Sequence, residues 1–219
     1  MSPRFDPAAL SLYHVTDPQL SRPRSVPEVA RLAVEGGASM IQVRAKDASG
    51  RELLELLEAV VSAVDGAAPV VVDDRVECHL AARARGIACD GVHIGQSDLP
   101  PEDARRLCGP EAIIGLSAAS QDEIAAAAAL PAGTVDYLGI GAVRATETKP
   151  DAPQPLGIDG FARARALSAL PAVAIGGIRP EDVAGLMAAG ADGVAVVSGI
   201  CAAADPRLAA QTYRREMQR

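Results

Sequence analysis

Residues 137–151 read Y-L-G-I-G-A-V-R-A-T-E-T-K-P-D. A short apolar run passes through Gly139 and Gly141 into a polar loop with two hydroxyls, Thr146 and Thr148, and the ammonium of Lys149. Hydroxyl donors, a compact cation and bare backbone suit phosphate oxygens. Read by itself, the stretch is equally a solvated loop. Comparable chemistry follows most of the other apolar runs. Q-V-R-A-K carries Gln42, Arg44 and Lys46 at alternate positions, so a strand there turns all three to one side. Asp73, Asp74 and Arg75 follow V-V-V, and His93 and Gln96 lead to Asp98. Ser117 ends I-I-G-L-S, Gly176 and Gly177 follow V-A-I, and Ser198 follows V-A-V-V. Carboxylates beside two cations form a plain salt-bridge network or hold a hard divalent cation. Mg2+ takes one or two carboxylates, waters and substrate phosphate oxygens. Acidic and basic groups converging on one place fit a metal-bound diphosphate better than either sign alone. No Ser–His–Asp arrangement and no catalytic cysteine stands out. His14 and His93 fall in strands and His79 in a helix, where each reads as a packing or hydrogen-bonding group.

The elements that must position these residues alternate along the chain. Apolar runs predict strands at 12–15, 40–44, 69–73, 91–94, 112–116, 137–140, 172–175 and 193–197. Helical patterns lie near 26–36, 50–64, 76–85, 101–108, 120–129, 158–168, 180–189 and 205–217. Such alternation implies a parallel sheet with helical crossovers. A weak repeat supports it: Ser39, Asp90, Asp136 and Asp192 each sit between small residues and an apolar run. A signature on every second strand suits a closed (β/α)8 TIM barrel of eight parallel strands better than an open sheet. Ser25, Ser120 and Pro180 mark helix starts. With no break in composition, residues 1–219 read as one domain, and 144–157, with Pro150, Pro153 and Pro155, as a long active-site loop. In this fold the chemistry collects where strands end, and glycines after strand seven with a helix start after strand eight make a phosphate cradle. The mouth then holds two anion sites. One is a neutral cradle for a monophosphate. The other, Arg44, Lys46, Lys149, Asp74 and Asp98, is charged and suits a metal-bound diphosphate.

Composition narrows the function classes. The 219 residues carry a formal net charge of −7, no basic run and 2% aromatics, which argues against nucleic-acid binding. Cys78, Cys89, Cys108 and Cys201 form no C-x-x-C pair, so buried thiols in a reduced cytoplasm are expected. No apolar run reaches membrane-spanning length, and a soluble cytoplasmic protein is expected. Homo-oligomerisation is compatible with the sequence, which does not specify it.

Seven motifs in order, Y-H-V-T-D at 13–17, Q-V-R-A-K at 42–46, D-D-R-V at 73–76, G-V-H-I-G-Q-S-D at 91–98, T-E-T-K at 146–149, I-G-G-I at 175–178 and V-S at 197–198, resemble thiamine phosphate synthases over nearly the whole chain. The resemblance implies an enzyme that joins hydroxymethylpyrimidine diphosphate to thiazole phosphate, releasing pyrophosphate with one Mg2+ per site. It implies a dissociative mechanism in which pyrophosphate leaves before the thiazole nitrogen attacks. By resemblance Asp74 and Asp98 hold the metal. Arg44, Lys46, Ser117 and Lys149 hold the diphosphate and act in catalysis, while Gln42 places the pyrimidine, with Val43, Ala45 and Asp73 beside them in the substrate site. Thr146, Glu147, Thr148, Gly177, Val197 and Ser198 bind the thiazole phosphate.

Four departures stand out. Asp73 occupies a position where the family usually has Asn, which adds negative charge beside the diphosphate. The interval from 74 to 98 is about five residues longer than the family habit, with R-A-R-G-I at 83–87 as the apparent insertion, expected to lengthen a helix or loop away from the mouth. Ala119 stands where the family tends to have His. The loop G-A-V-R-A-T lacks the expected prolines and aromatic, and its Arg144 reaches a phosphate or sits in solvent. Two alternatives follow: a thiazole tautomerase-like paralogue, which needs no diphosphate machinery, and a non-catalytic phosphometabolite-binding barrel.

Overall fold

The computed structural model describes residues 5–146 and 154–218. A 3-10 turn at Pro7–Leu10 leads into eight parallel strands that close in sequence order into a barrel. They are β1 (Leu12–Val15), β2 (Met40–Val43), β3 (Val70–Asp73), β4 (Gly91–Ile94), β5 (Ile113–Ala118), β6 (Tyr137–Gly141), β7 (Ala172–Ile175) and β8 (Gly193–Val196). Between them run α1 (Val26–Glu35), α2 (Gly50–Val64), α3 (Val76–Ala84), α4 (Pro101–Cys108), α5 (Gln121–Ala128), α6 (Gly157–Arg165) and α7 (Pro180–Ala188). A one-turn α8 (Ser198–Cys201) and α9 (Pro206–Glu216) follow β8. All eight expected strands and helices are present, with ends shifted by at most three residues. Arg44 lies just beyond β2 rather than inside it.

Local chemistry explains the boundaries. Ser25 Oγ accepts from the Glu28 amide and caps α1, and reciprocal Ser–Glu capping boxes open α2 (Ser49, Glu52) and α5 (Ser120, Glu123). The two-unit repeat has a mechanical meaning. Ser39 Oγ, Asp90 Oδ2, Asp136 Oδ2 and Asp192 Oδ2 accept from the amides of Leu12 (2.9 Å), Val70 (2.7 Å), Ile114 (2.8 Å) and Ala172 (2.8 Å). Each residue preceding an even strand thus satisfies an amide at the start of the odd strand before it. Arg105 and Arg165 brace Asp136 and Asp192 at 2.7 and 3.3 Å. These four positions lie at the strand starts and leave the opposite rim for chemistry.

Alternation within each strand divides the core. Ile41, Val43, Val72, Ile114, Leu138 and Val194 face the helices, while Tyr13, Met40, Val71, Ile113, Tyr137, Val173 and Ala195 fill the barrel interior. Phe5 joins the interior set and stacks on Tyr137, with ring centroids 5.8 Å apart. Residues 83–87 straddle the last turn of α3 and the turn before β4, at the end of the barrel away from the mouth. No described helix is long and apolar enough to cross a membrane, and all four cysteines are free and buried.

Candidate active site

A cavity of about 520 Å³ opens at the carboxyl ends of the strands. Its lining includes Gln42, Arg44, Lys46, Asp73, Asp74, Asp98, Ser117, Thr146, Gly177, Val197 and Ser198. Residues widely separated in the chain therefore share one mouth. Glu147, Thr148 and Lys149, expected in the same site, lie outside the described residues. Val43 and Ala45, also expected to bind substrate, do not line the cavity. The alternation that turns Gln42 and Arg44 inward turns these two outward, into the apolar layer between sheet and helices.

One side of the mouth is charged. The Arg44 guanidinium lies between Asp17 and Asp73, with N–O distances of 3.6 and 3.3 Å. The Arg44 amide donates to Thr16 Oγ1 at 3.0 Å, which ties the end of β2 to the end of β1. Burial, reinforced by Asp74, pushes the Asp73 carboxyl up to about 7, while Arg44 and Lys46 pull it down. Asp74 has a left-handed backbone, φ 59°, fixed in part by its amide donating to the His93 carbonyl at 2.7 Å. Burial and then Asp98 raise Asp74 to about 6. The Asp74 and Asp98 carboxyls are within hydrogen-bonding reach of each other, and the Gly95 amide donates to Asp98 Oδ2 at 2.7 Å.

Two carboxylates this close repel unless a proton or a cation lies between them. Their carboxylate oxygens are the donor type that a hard cation would take. Among the described residues no group of three or more His, Cys, Asp or Glu side chains forms a larger metal cage.

The other side is nearly neutral. Gly176 (φ 94°) and Gly177 (φ 65°) have conformations that disfavour any side chain, and a Cβ on Gly177 would stand 2.7 Å from the Ala145 carbonyl oxygen. The chain therefore presents bare backbone opposite the start of α8, where Ser198 is exposed. Backbone amides and a hydroxyl at that position suit a phosphate monoester. Arg144 contributes nothing to it: its Nε donates to Asp182 Oδ2 at 2.8 Å, and this pairing holds the Asp182 carboxyl below its usual range. It neither reaches into the cavity nor stands alone in solvent. After the described segment to Thr146, the loop rejoins the sheet as the Leu156 and Gly157 amides donate to the Ala142 and Val143 carbonyls at 2.8 and 3.0 Å.

Sequence reasoning left Tyr13 and His93 out of the site, yet both line it. His93 was expected to be a hydrogen-bonding group, and it bonds to Ser117 Oγ at 2.9 Å and to the Tyr137 hydroxyl at 3.0 Å. The available signal was phase: Tyr13 shares the inward register of β1 as Gln42 does of β2. Glu123 and Gln96 also border the mouth. Glu123 is used locally, accepting from the Ala119 amide at 2.6 Å, and Gln96 donates to the Ser117 carbonyl at 2.7 Å.

The family model described as thiamine monophosphate synthase matches residues 12–200. A thiamine-phosphate synthase from Azorhizobium caulinodans is 44% identical over 209 residues, covering 95% of each chain. One from Corynebacterium efficiens is 48% identical over 179 residues, 82% of each chain. A solved structure titled thiamine phosphate pyrophosphorylase, from Pyrococcus furiosus, superposes with a TM-score of 0.84 at 35% identity over 97% of both chains. A 3-hexulose-6-phosphate synthase at 17% identity and TM-score 0.65 shares the fold alone. With the barrel, the mouth and these relatives in agreement along nearly its whole length, the chain is a transferase and belongs to the thiamine monophosphate synthase family.

Proposed function

We propose that the protein is a thiamine phosphate synthase. It transfers the pyrimidinylmethyl group of hydroxymethylpyrimidine diphosphate to the ring nitrogen of thiazole phosphate. The observation that carries this reading is the single cavity in which a charged half (Arg44, Lys46, Asp74, Asp98) faces a glycine-and-hydroxyl half (Gly177, Ser198). One half suits a diphosphate and the other a monoester, and a reaction between the two ligands requires both in one cavity.

The chemistry follows from the residue types. The bond between methylene carbon and diphosphate oxygen breaks, and its electron pair leaves on pyrophosphate. The thiazole nitrogen lone pair then forms the new carbon–nitrogen bond. No protein nucleophile is needed. The protein's tasks are to stabilise charge on the leaving group and to align the partners. Arg44 and Lys46 supply cationic donors and Ser117 a hydroxyl, with Lys149 assigned the same role from its motif. Gln42 orients the pyrimidine. Gly177, Val197 and Ser198, with Thr146, Glu147 and Thr148 of the loop, seat the thiazole phosphate. Asp74 and Asp98 would hold Mg2+, which when bound neutralises charge on the diphosphate. We place the protein in the cytoplasm, where four buried free thiols remain reduced.

The test is direct. Purified protein given both substrates and Mg2+ should form thiamine phosphate and pyrophosphate in equal amounts. Folded protein that binds thiazole phosphate without turnover would favour a binding role, and isomerisation of a thiazole carboxylate phosphate the tautomerase-like alternative.

A further inference from the structure

Five polar side chains from five strands form a hydrogen-bonded line: Tyr13, Gln42, His93 and Ser117 line the cavity, and Tyr137 joins them from the buried interior. Gln42 Nε2 donates to the Tyr13 hydroxyl at 2.7 Å, and the Tyr13 and Tyr137 hydroxyls are 2.8 Å apart. The Tyr137 hydroxyl is 3.0 Å from His93 Nδ1, and His93 Nε2 is 2.9 Å from Ser117 Oγ. Gln42, Tyr13, Tyr137 and His93 are at most 7% exposed.

A phenol has one hydrogen to give, and a neutral imidazole has one N–H and one bare nitrogen. The donors can therefore be counted along the line. With its amide nitrogen turned to Tyr13, Gln42 gives a hydrogen there, and the Tyr13 hydrogen goes to Tyr137. The Tyr137 hydrogen then goes to Nδ1 of His93. An imidazole accepting at Nδ1 carries its hydrogen on Nε2 and gives it to Ser117 Oγ. The serine oxygen is already an acceptor, and its own hydrogen is left for the cavity. The opposite direction would aim two donors at Tyr13 and leave the Tyr13 hydrogen without a place in the line.

The surroundings are shaped for this line. A Cβ on Gly115 would stand 2.4 Å from both His93 Nδ1 and the Tyr137 hydroxyl, and one on Gly139 would stand 3.2 Å from His93 Cε1. A side chain at Gly115 would break the Tyr137–His93 hydrogen bond, and one at Gly139 would press on the imidazole. Phe5 stacked on Tyr137, and Tyr13 edge-on to it, fix the phenol from below. Burial raises both tyrosines well above the ordinary phenol range, so both hydrogens stay in place.

We propose that the line runs one way, from Gln42 to Ser117, and that Tyr137 is a positioning residue which fixes the Nε2–H tautomer of His93 and turns the Ser117 hydroxyl hydrogen toward the departing diphosphate. The inference rests on the reading of Ser117 as a diphosphate contact. A donor already aimed at the oxygen where charge develops costs no reorganisation when the bond breaks.

The test has two arms whose failures differ. In 15N-histidine-labelled wild-type protein, two-bond proton–nitrogen spectra should show His93 with Nε2 protonated and Nδ1 bare. The opposite tautomer overturns the proposal whatever the protein catalyses, and a Tyr137→Phe variant that fails to fold leaves this arm intact. In the kinetic arm, Tyr137→Phe should mix the tautomers and lower kcat about tenfold, with both KM values within about twofold. In a Ser117→Ala background the same substitution should cost less than about twofold, because its effect passes through Ser117. Equal losses in both backgrounds overturn the positioning role. Absence of product from wild-type protein would instead defeat the synthase reading and leave the tautomer result standing.

Discussion

Asp73 is the residue most at odds with the task of the charged half. Its carboxylate sits 3.3 Å from the guanidinium that should receive the diphosphate, with both side chains less than 15% exposed. Asp73→Asn keeps the shape and removes the charge. A phosphate oxygen on the free edge of the Arg44 guanidinium would stand roughly 6–7 Å from that carboxylate, where one unit charge is worth about 2.5 kcal/mol at an effective dielectric of about 20. Solvent and salt at the rim reduce this to about 1 kcal/mol, or about fivefold in affinity. Arg44 retains Asp17 at 3.6 Å, so the variant leaves no buried cation unpaired. Calorimetric titration of Mg-pyrophosphate at pH 8, where Asp73 is ionised, should therefore show tighter binding by the variant by about fivefold, with less salt dependence in the difference than a surface charge would give. Unchanged or weaker binding would refute the view that Asp73 competes with the diphosphate for Arg44.

Other consequences are equally specific. Asp74→Ala should lower kcat/KM by roughly 100-fold or more, since it removes one of two carboxylates assigned to the cation; Mg2+ titrations of the rate would show the loss, and wild-type kinetics would make Asp74 structural only. Gly177→Ala forces a side chain into φ 65° and against the Ala145 carbonyl oxygen; it should raise KM for thiazole phosphate about tenfold while leaving pyrophosphate binding within about twofold. His14 is fully buried and its pKa is lowered to about 4, chiefly by desolvation. The unfolded chain, with a histidine pKa near 6.5, then binds the proton more readily, so stability is complete above about pH 6.5 and falls as pH drops toward about 4. That loss is about 3 kcal/mol for this group; buried His79, also lowered to about 4 by desolvation, contributes in both proteins, so urea unfolding across pH 4–7 should show a fall larger by about 3 kcal/mol in the wild type than in His14→Gln.

The alternation of short apolar runs with helical segments placed all eight strands and the eight longer helices, because a parallel sheet covered on both faces leaves that mark in the sequence. The repeat of Ser39, Asp90, Asp136 and Asp192 supported the strand count, although its role in satisfying odd-strand amides needed coordinates. The charged half of the mouth was legible because Arg44, Lys46, Asp74 and Asp98 stand just past strand ends, where few structural uses exist for them. Val43 and Ala45 were drawn in as neighbours within a motif, and their outward phase removes their side chains from the cavity. Arg144 could not be resolved from sequence, since its partner Asp182 is 38 residues away. Tyr13, His93 and Tyr137 share the limitation: each looks like ordinary core until the closed barrel turns strands 1, 4, 5 and 6 toward one interior.

The account's central claim is that one rim neutralises a diphosphate between Arg44, Lys46 and the Asp74–Asp98 pair. A crystal soaked with Mg2+ and pyrophosphate tests it most directly. Pyrophosphate oxygens should lie on Arg44, Lys46 and Ser117 Oγ, and Asp74 and Asp98 would hold the cation. Pyrophosphate seated instead against Gly177 and Ser198, with Arg44 still between Asp17 and Asp73, would contradict it.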